Sequence, residues 1–215
     1  MWSEAALAAL LSERLQAPVR AAIVEAPMPV AALSSRERER FGALAGTPRA
    51  PSWLRGRAAL KRLLARLGAD ADTADITLPN ACFSLTHTAG LAVAIHVEGA
   101  DGVGVDLESH RLSGRSSRRW RQAARLFATA AEAQWLGRPS GDLETALLRL
   151  WTIKEAVFKA DRDNGGRALG DYALESPRRT GCAVVTGDPR RRFCYTALGE
   201  PGAMLAAALC RGSAR

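Results

Sequence analysis

The chain runs through one order of elements twice, and that repetition restricts its fold more than any single segment does. Apolar periodicity predicts a helix near 3–16, a strand near 19–25, and helices over about 34–45 and 53–67. Four short β-compatible runs follow, ADITL, CFSLTH, LAVAIHV and GVGVDLE, divided by Pro79, Asn80, Gly90, Gly99 and Asp101. The order then restarts. Basic helical sequence begins at about 115, GRPSGD makes a turn, a long helix covers about 142–161, and strands lie near 172, 183, 194 and 204. LSSRERERF at 33–41 is similar to FATAAEAQWL at 127–136, and CFSLTHTAGLAVAIHV from Cys82 parallels CYTALGEPGAMLAAAL from Cys194. The expectation is an α+β fold of two similar α/β lobes related by a pseudo-two-fold, residues 1–108 and 109–215, with the active site in the cleft between them. Chance similarity among Ala- and Leu-rich segments is the competing account.

The stretch GVGVDLE at 102–108 alternates glycine with valine and ends on two acids. Side chains alternate along a strand, so Asp106 and Glu108 leave one face about 6–7 Å apart. Two anions this close are tolerated in water or around a cation, and a solvated strand end is the plainer of these. The segment WTIKEAVFKA at 151–160 weighs on the choice. At helical spacing Leu148, Trp151, Glu155 and Phe158 share a stripe, which sets an acid among large apolar residues. Lys159 follows Glu155 by four residues on the same face, and Lys154 points elsewhere. An exposed pair at that spacing is worth only about 0.2–0.5 kcal/mol, so a carboxylate beside Trp and Phe calls for a stronger partner. Together the three acids make an all-oxygen donor set suited to Mg²⁺ rather than zinc. His87, followed by Thr88 and a glycine, could present an imidazole and backbone amides to a phosphate; a satisfied surface histidine is the alternative.

Composition narrows the partners. The 215 residues carry a formal charge of +8, which favours an anionic partner: nucleic acid, a phosphorylated cofactor or an acidic protein. The four cysteines, Cys82, Cys182, Cys194 and Cys210, never approach a CxxC spacing and read as reduced buried thiols. No apolar run reaches the roughly 18 residues of a membrane span, and the first 16 residues read as an amphipathic helix. The expectation is a cytoplasmic protein with no membrane partner.

Three segments in series, FSLTHT, GVDLE and WTIKEAVFK, resemble the F-N-x-S-H-S, metal and W-x-x-K-E-x-x-x-K motifs of the 4′-phosphopantetheinyl transferase superfamily, specifically its pseudo-dimeric surfactin-synthetase-activating type. The resemblance implies an enzyme that moves the phosphopantetheine arm of coenzyme A onto a serine of an acidic acyl or peptidyl carrier protein, with Mg²⁺, releasing adenosine 3′,5′-bisphosphate. It implies Asp106, Glu108 and Glu155 as metal ligands, Glu155 as general base, and Lys159 as a catalytic cation on the phosphates. Thr86 and His87 would bind coenzyme A phosphates, and Lys154 would orient the pyrophosphate. Arg40 would contact the 3′-phosphate, with Arg57 and Lys61 serving the same site. The lobes would make a monomer sufficient. The family's G-K-P element is replaced by ITLPNA, which puts one nucleotide contact in doubt. Two other readings compete. A non-catalytic relative would bind coenzyme A or a carrier protein without transfer. A nucleic-acid-binding module would use Arg36, Arg38, Arg40, Arg118, Arg119, Arg121 and Arg190 to Arg192, but shows no stacking motif and leaves the three acids unexplained, so no nucleic-acid partner is expected.

Overall fold

The structure is a computed structural model that describes residues 2–69, 72–88, 90–109, 117–137, 142–200 and 203–211, with the backbone alone at 117–121. Most of the GRPSGD turn, the end of the CRGSAR tail and the side chains of Arg118, Arg119 and Arg121 lie outside the described residues.

Two antiparallel sheets organise the chain. The first has the order β1-β3-β2, from Val19–Val24 (β1), Phe83–His87 (β2) and Ala92–Val97 (β3). The second has the order β4-β8-β7-β6-β5, from Gly102–Ser109 (β4), Tyr172–Leu174 (β5), Thr180–Val185 (β6), Asp188–Glu200 (β7) and Ala203–Arg211 (β8). The order β1-β3-β2 has its counterpart in β4-β8-β7, and both paired sequence stretches, from Cys82 and from Cys194, fold as antiparallel hairpins. The last strand before residue 108, β4, is hydrogen-bonded into the second sheet.

Helix Ala50–Arg66 (α3) covers one face of the first sheet, where Ala59, Leu60 and Leu63 meet Ala22, Ala92 and Ala94. Helix Leu143–Ala160 (α6) covers one face of the second, where Ile153, Ala156 and Val157 meet Phe193, Ala206 and Ala208. The remaining faces share one core, closed by Leu7, Leu11 and Leu15 of Glu4–Leu15 (α1) against Val93, Ile95, Val103, Val105, Leu205 and Leu209.

The paired segments LSSRERERF and FATAAEAQWL become Ser35–Gly42 (α2) and Ala130–Leu136, which follows Ser117–Phe127 (α4) and is α5. Each opens with a capping box, Ser34 with Glu37 and Thr129 with Glu132, so each helix start satisfies its own free amides. Both glutamates are buried and ion-paired to a lysine of the next long helix, Glu37 to Lys61 at 2.8 Å and Glu132 to Lys154 at 2.7 Å. The ADITL segment is not a strand. The Asp72 side chain accepts the Ala74 amide at 2.8 Å and turns Thr73–Asp75 into a single 3₁₀ turn.

The glycines of β4 set where α6 lies. A Cβ at Gly104 would sit 1.8 Å from the Ala156 carbonyl oxygen, and one at Gly102 would sit 2.0 Å from that of Ala160. The helix backbone therefore rests on the strand backbone, antiparallel to it. Four helical residues rise about 6 Å and two strand residues about 6.7 Å, so the two advance nearly in step.

Gly104→Ala is expected to cost about 3 kcal/mol or more, because backbone rather than a side chain must give way, whereas Gly199→Ala, whose Cβ would meet only Met204 at 3.6 Å, stays within about 0.5 kcal/mol. Urea midpoints of the two variants measure the difference. Burial alone would raise the Glu37 carboxyl, but hydrogen bonds from Lys61, Thr73 and the Ser34 amide outweigh it and hold its pKa below the usual value. A depressed folded-state pKa stabilises above the ordinary carboxylate range and ceases to do so as pH falls through the folded value. The stability gap between the wild type and Glu37→Gln should therefore be wider at pH 7 than at about pH 3.

Candidate active site

Beyond the two glycines the same face of β4 carries Asp106 and Glu108, which pair in register with Ala206 and Met204. Continuing the helix-on-strand alignment places the middle of α6 over these acids. Lys159 donates to Asp106 Oδ1 at 2.7 Å and to the Val105 carbonyl at 3.3 Å. The Trp151 indole Nε1–H donates to Glu108 Oε1 at 3.0 Å. Helical spacing alone would pair Lys159 with Glu155, the plainer alternative, but the lysine turns to the strand acid across the fold.

The other side of the site comes from β2, which lies along β4 where the two sheets meet. Amides at alternate positions of β4 find acceptors on β2 and on the segment just before it: Val103 donates to the Asn80 carbonyl at 3.4 Å, Val105 to Ser84 Oγ at 2.9 Å, and Leu107 to Thr86 Oγ1 at 3.1 Å. Hydroxyls two residues apart on a strand stand on one face, at the spacing of the amides opposite. The Thr86 hydroxyl also donates to Asp106 Oδ1 at 3.2 Å. A hydroxyl has a single proton to give. Thr86 thus holds Asp106 in place at the wall of the cavity it shares with His87.

A cavity of about 540 Å³ opens over these groups, lined by Trp53, Arg57, Thr86, His87, Asp106, Glu108 and Lys159 among others. Six of the ten sequence-predicted site residues therefore share one cavity. Lys154 does not reach it: the side chain is wholly buried, ion-paired to Glu132 and bonded to the Tyr172 carbonyl, so the pyrophosphate role expected of it is withdrawn. Lys61 is held by Glu37, and Arg40 is exposed on α2 with its charge felt at Arg57. Glu155 is outside the cavity wall but close enough to Asp106 and Glu108 for their charges to act on one another. Arg36, Arg191 and Arg192, counted toward a nucleic-acid surface, are each ion-paired to an acid of the chain.

Sequence reasoning missed Trp53, Ser84 and Arg55. Trp53 carries the Arg57 guanidinium 5.0 Å from its ring centroid. Arg55 donates to the Glu25 carbonyl at 2.7 Å and to the Thr88 carbonyl at 3.4 Å, tying down the turn after His87. The alternating hydroxyls of FSLTHT were the signal that pointed to the β4 amides.

Burial, the Asp106 charge and the charge of Glu155 push the Glu108 carboxyl up, against the opposing Trp151 bond and Lys159. Burial and Asp106 also raise Glu155, against Lys159. Partial burial, with the cations of Lys159 and Arg55, holds the His87 imidazole below its ordinary value. Asp106 Oδ2 is buried without a hydrogen-bond partner. An acceptor left bare beside two acids that repel it fits a hard cation. Among the described residues no three potential ligands yet converge on one point, so the fit is one of donor chemistry. No helix among the described residues is long and apolar enough to cross a membrane.

Residues 102–208 match the family model described as ACPS, 4'-phosphopantetheinyl transferase superfamily, which supports a transferase of that superfamily. The matched segment starts at the first glycine of β4 and includes Asp106, Glu108, Glu155 and Lys159. A search of curated proteins found no match.

Thr86→Val strands the Leu107 amide and releases Asp106, at an expected cost of about 1–3 kcal/mol, while Thr86→Ser keeps both bonds and loses about 0.8 kcal/mol with the methyl group. Chemical denaturation of both variants separates the hydroxyl from the methyl contribution.

Proposed function

We propose that the chain is a 4′-phosphopantetheinyl transferase of the pseudo-dimeric surfactin-synthetase-activating type, acting in the cytoplasm as a monomer of two related lobes. It transfers the phosphopantetheine arm of coenzyme A to a serine of an apo acyl or peptidyl carrier protein and releases adenosine 3′,5′-bisphosphate. The observation that carries this reading is the bare Asp106 Oδ2, held beside Lys159 and Glu108 in a cavity that Arg57 and His87 also line.

Mg²⁺, when bound, would be held by Asp106, Glu108 and Glu155 and would neutralise charge on the pyrophosphate of coenzyme A. The protein's own groups do the rest by position and charge. Arg57 and His87 bind the nucleotide phosphates, with Arg40 adding positive charge at the rim. Arg57 is set for this task at the cavity wall, where its Nη1 donates to the Thr73 carbonyl at 2.9 Å and its guanidinium stacks on Trp53. Lys159 faces the phosphorus being attacked. As the carrier serine oxygen bonds to phosphorus, Glu155 takes the hydroxyl proton, the pyrophosphate P–O bond breaks, and the bisphosphate leaves. Trp151 holds Glu108 and Thr86 holds Asp106, so neither acid has to be ordered when the substrate arrives. An acidic carrier would be steered by the chain's net charge of +8.

Intact-mass spectrometry of apo carrier proteins incubated with coenzyme A, Mg²⁺ and this protein should show the gain of one phosphopantetheine, abolished by EDTA. Asp106→Asn should lower turnover by about 10²-fold or more while the fold stays cooperative. Coenzyme A binding with no mass gain on any carrier would instead support the non-catalytic reading.

A further inference from the structure

The outer face of the five-stranded sheet carries a feature that the transfer reaction does not use. Cys182 on β6 and Cys194 on β7 are direct partners in the antiparallel register, and their sulfurs stand 3.9 Å apart. Both are free and only partly buried. The same face is covered by α1 farther along, where Leu198, Leu205 and Leu209 enter the α1 core. The pair lies beyond that cover, among Thr180, Val184 and Arg192, which alternate with the cysteines on the two strands. Arg192 is exposed and pairs with Glu175, and its guanidinium lies against the Cys182 sulfur.

We propose that Cys182 and Cys194 form an intramolecular disulfide when the protein meets a peroxide-class oxidant, making this strand pair a reversible thiol-modification site. Directly opposite residues of antiparallel strands have Cα atoms about 4.5–5.5 Å apart, inside the range of about 4.4–6.8 Å that a disulfide spans without backbone movement. The sulfurs have to close by about 2 Å, which side-chain rotation accomplishes. The chemistry balances with the peroxide alone. One thiol takes an oxygen atom from the peroxide to give a sulfenic acid and water. The second sulfur displaces that hydroxyl as water, forming the S–S bond, so two thiols and one hydrogen peroxide become one disulfide and two waters. A dithiol reductant restores the starting state.

The remaining cysteines are separated from this pair by the sheet and by distance in the fold. Cys210 pairs with Phe193 and packs toward the α6 core, on the opposite face from Cys194. Cys82 lies just before β2 with its sulfur near the Ala100 carbonyl. The expected product is thus one defined bridge. It would tie together strands that are already hydrogen-bonded neighbours, so the fold need not rearrange to accept it.

The test treats the full-length protein with hydrogen peroxide and counts thiols with a maleimide under denaturing conditions. The expected fall is from four thiols to two, with the loss of two hydrogens in the intact mass and full recovery on reduction. A non-reducing peptide map should join the Cys182 and Cys194 peptides, and the Cys82→Ser/Cys210→Ser variant should behave the same. Cys182→Ser and Cys194→Ser should each retain three thiols and form no internal bridge. A bridge that includes Cys82 or Cys210, a linked dimer, or oxidation of single thiols to sulfinic acid without bridging would overturn the proposal. The wild-type map decides the matter even where a serine variant folds poorly, and the outcome does not depend on the assignment of transferase activity.

Discussion

Everything at the candidate site depends on the bare contact between β4 and α6. A helix packs against a sheet through side chains that hold the two backbones roughly 10 Å apart, unless one partner has no side chains to offer. Gly102 and Gly104 remove them, and the carbonyls of Ala160 and Ala156 occupy the space. Bringing the helix this close lets Lys159 span to Asp106 and Trp151 span to Glu108 with direct hydrogen bonds. With ordinary residues in place of the glycines, the same lysine and indole would stand off from the acids and water would enter between them. The strand's valines are as necessary, because Val103 and Val105 hold the opposite face in the core shared with α1.

Much of this was legible in the amino-acid sequence, and the parts that were not share a physical reason. The helices and hairpins followed from spacing, since a period of 3.6 or 2 is a local property. Asp106 and Glu108 could be placed on one face from alternation alone. Lys154 was a different matter: helical spacing shows that it leaves the Glu155 face, but not that the far side holds a buried glutamate from another helix. The fate of ADITL also escaped, because its apolar alternation competes with a side-chain cap by Asp72 that shortens the segment to a turn. Glu155 was grouped with the other acids by helical spacing, but standing outside the cavity wall depends on helix rotation to a degree that periodicity does not resolve. The bonds of Ser84 and Thr86 to the Val105 and Leu107 amides stay hidden as long as the neighbouring strand is unknown.

The junction between the sheets explains why those hydroxyls matter. An edge strand exposes a row of unpaired amides, and β4 is the edge of the second sheet. Here β2 answers that row with two side-chain hydroxyls, and Asn80 ahead of it adds one backbone carbonyl. The joint is therefore polar and directional, and it sits beside the acids whose orientation it controls.

The buried Glu132–Lys154 pair has a consequence for how the sequence is free to drift. Loss of either partner leaves an uncompensated charge in the core, at a cost of about 3–5 kcal/mol, so neither position tolerates change alone. Exchanging both for apolar residues would remove the charge problem but not the remaining duties. Glu132 accepts the Thr129 and Leu174 amides, at 2.7 and 2.8 Å, and Lys154 donates to the Tyr172 carbonyl. A successful replacement has to supply acceptors for two amides and a donor for one carbonyl in the same event. Stepwise mutation meets a barrier at every intermediate, which makes these two positions a kinetic trap in sequence space, held by topology whatever chemistry the cavity performs.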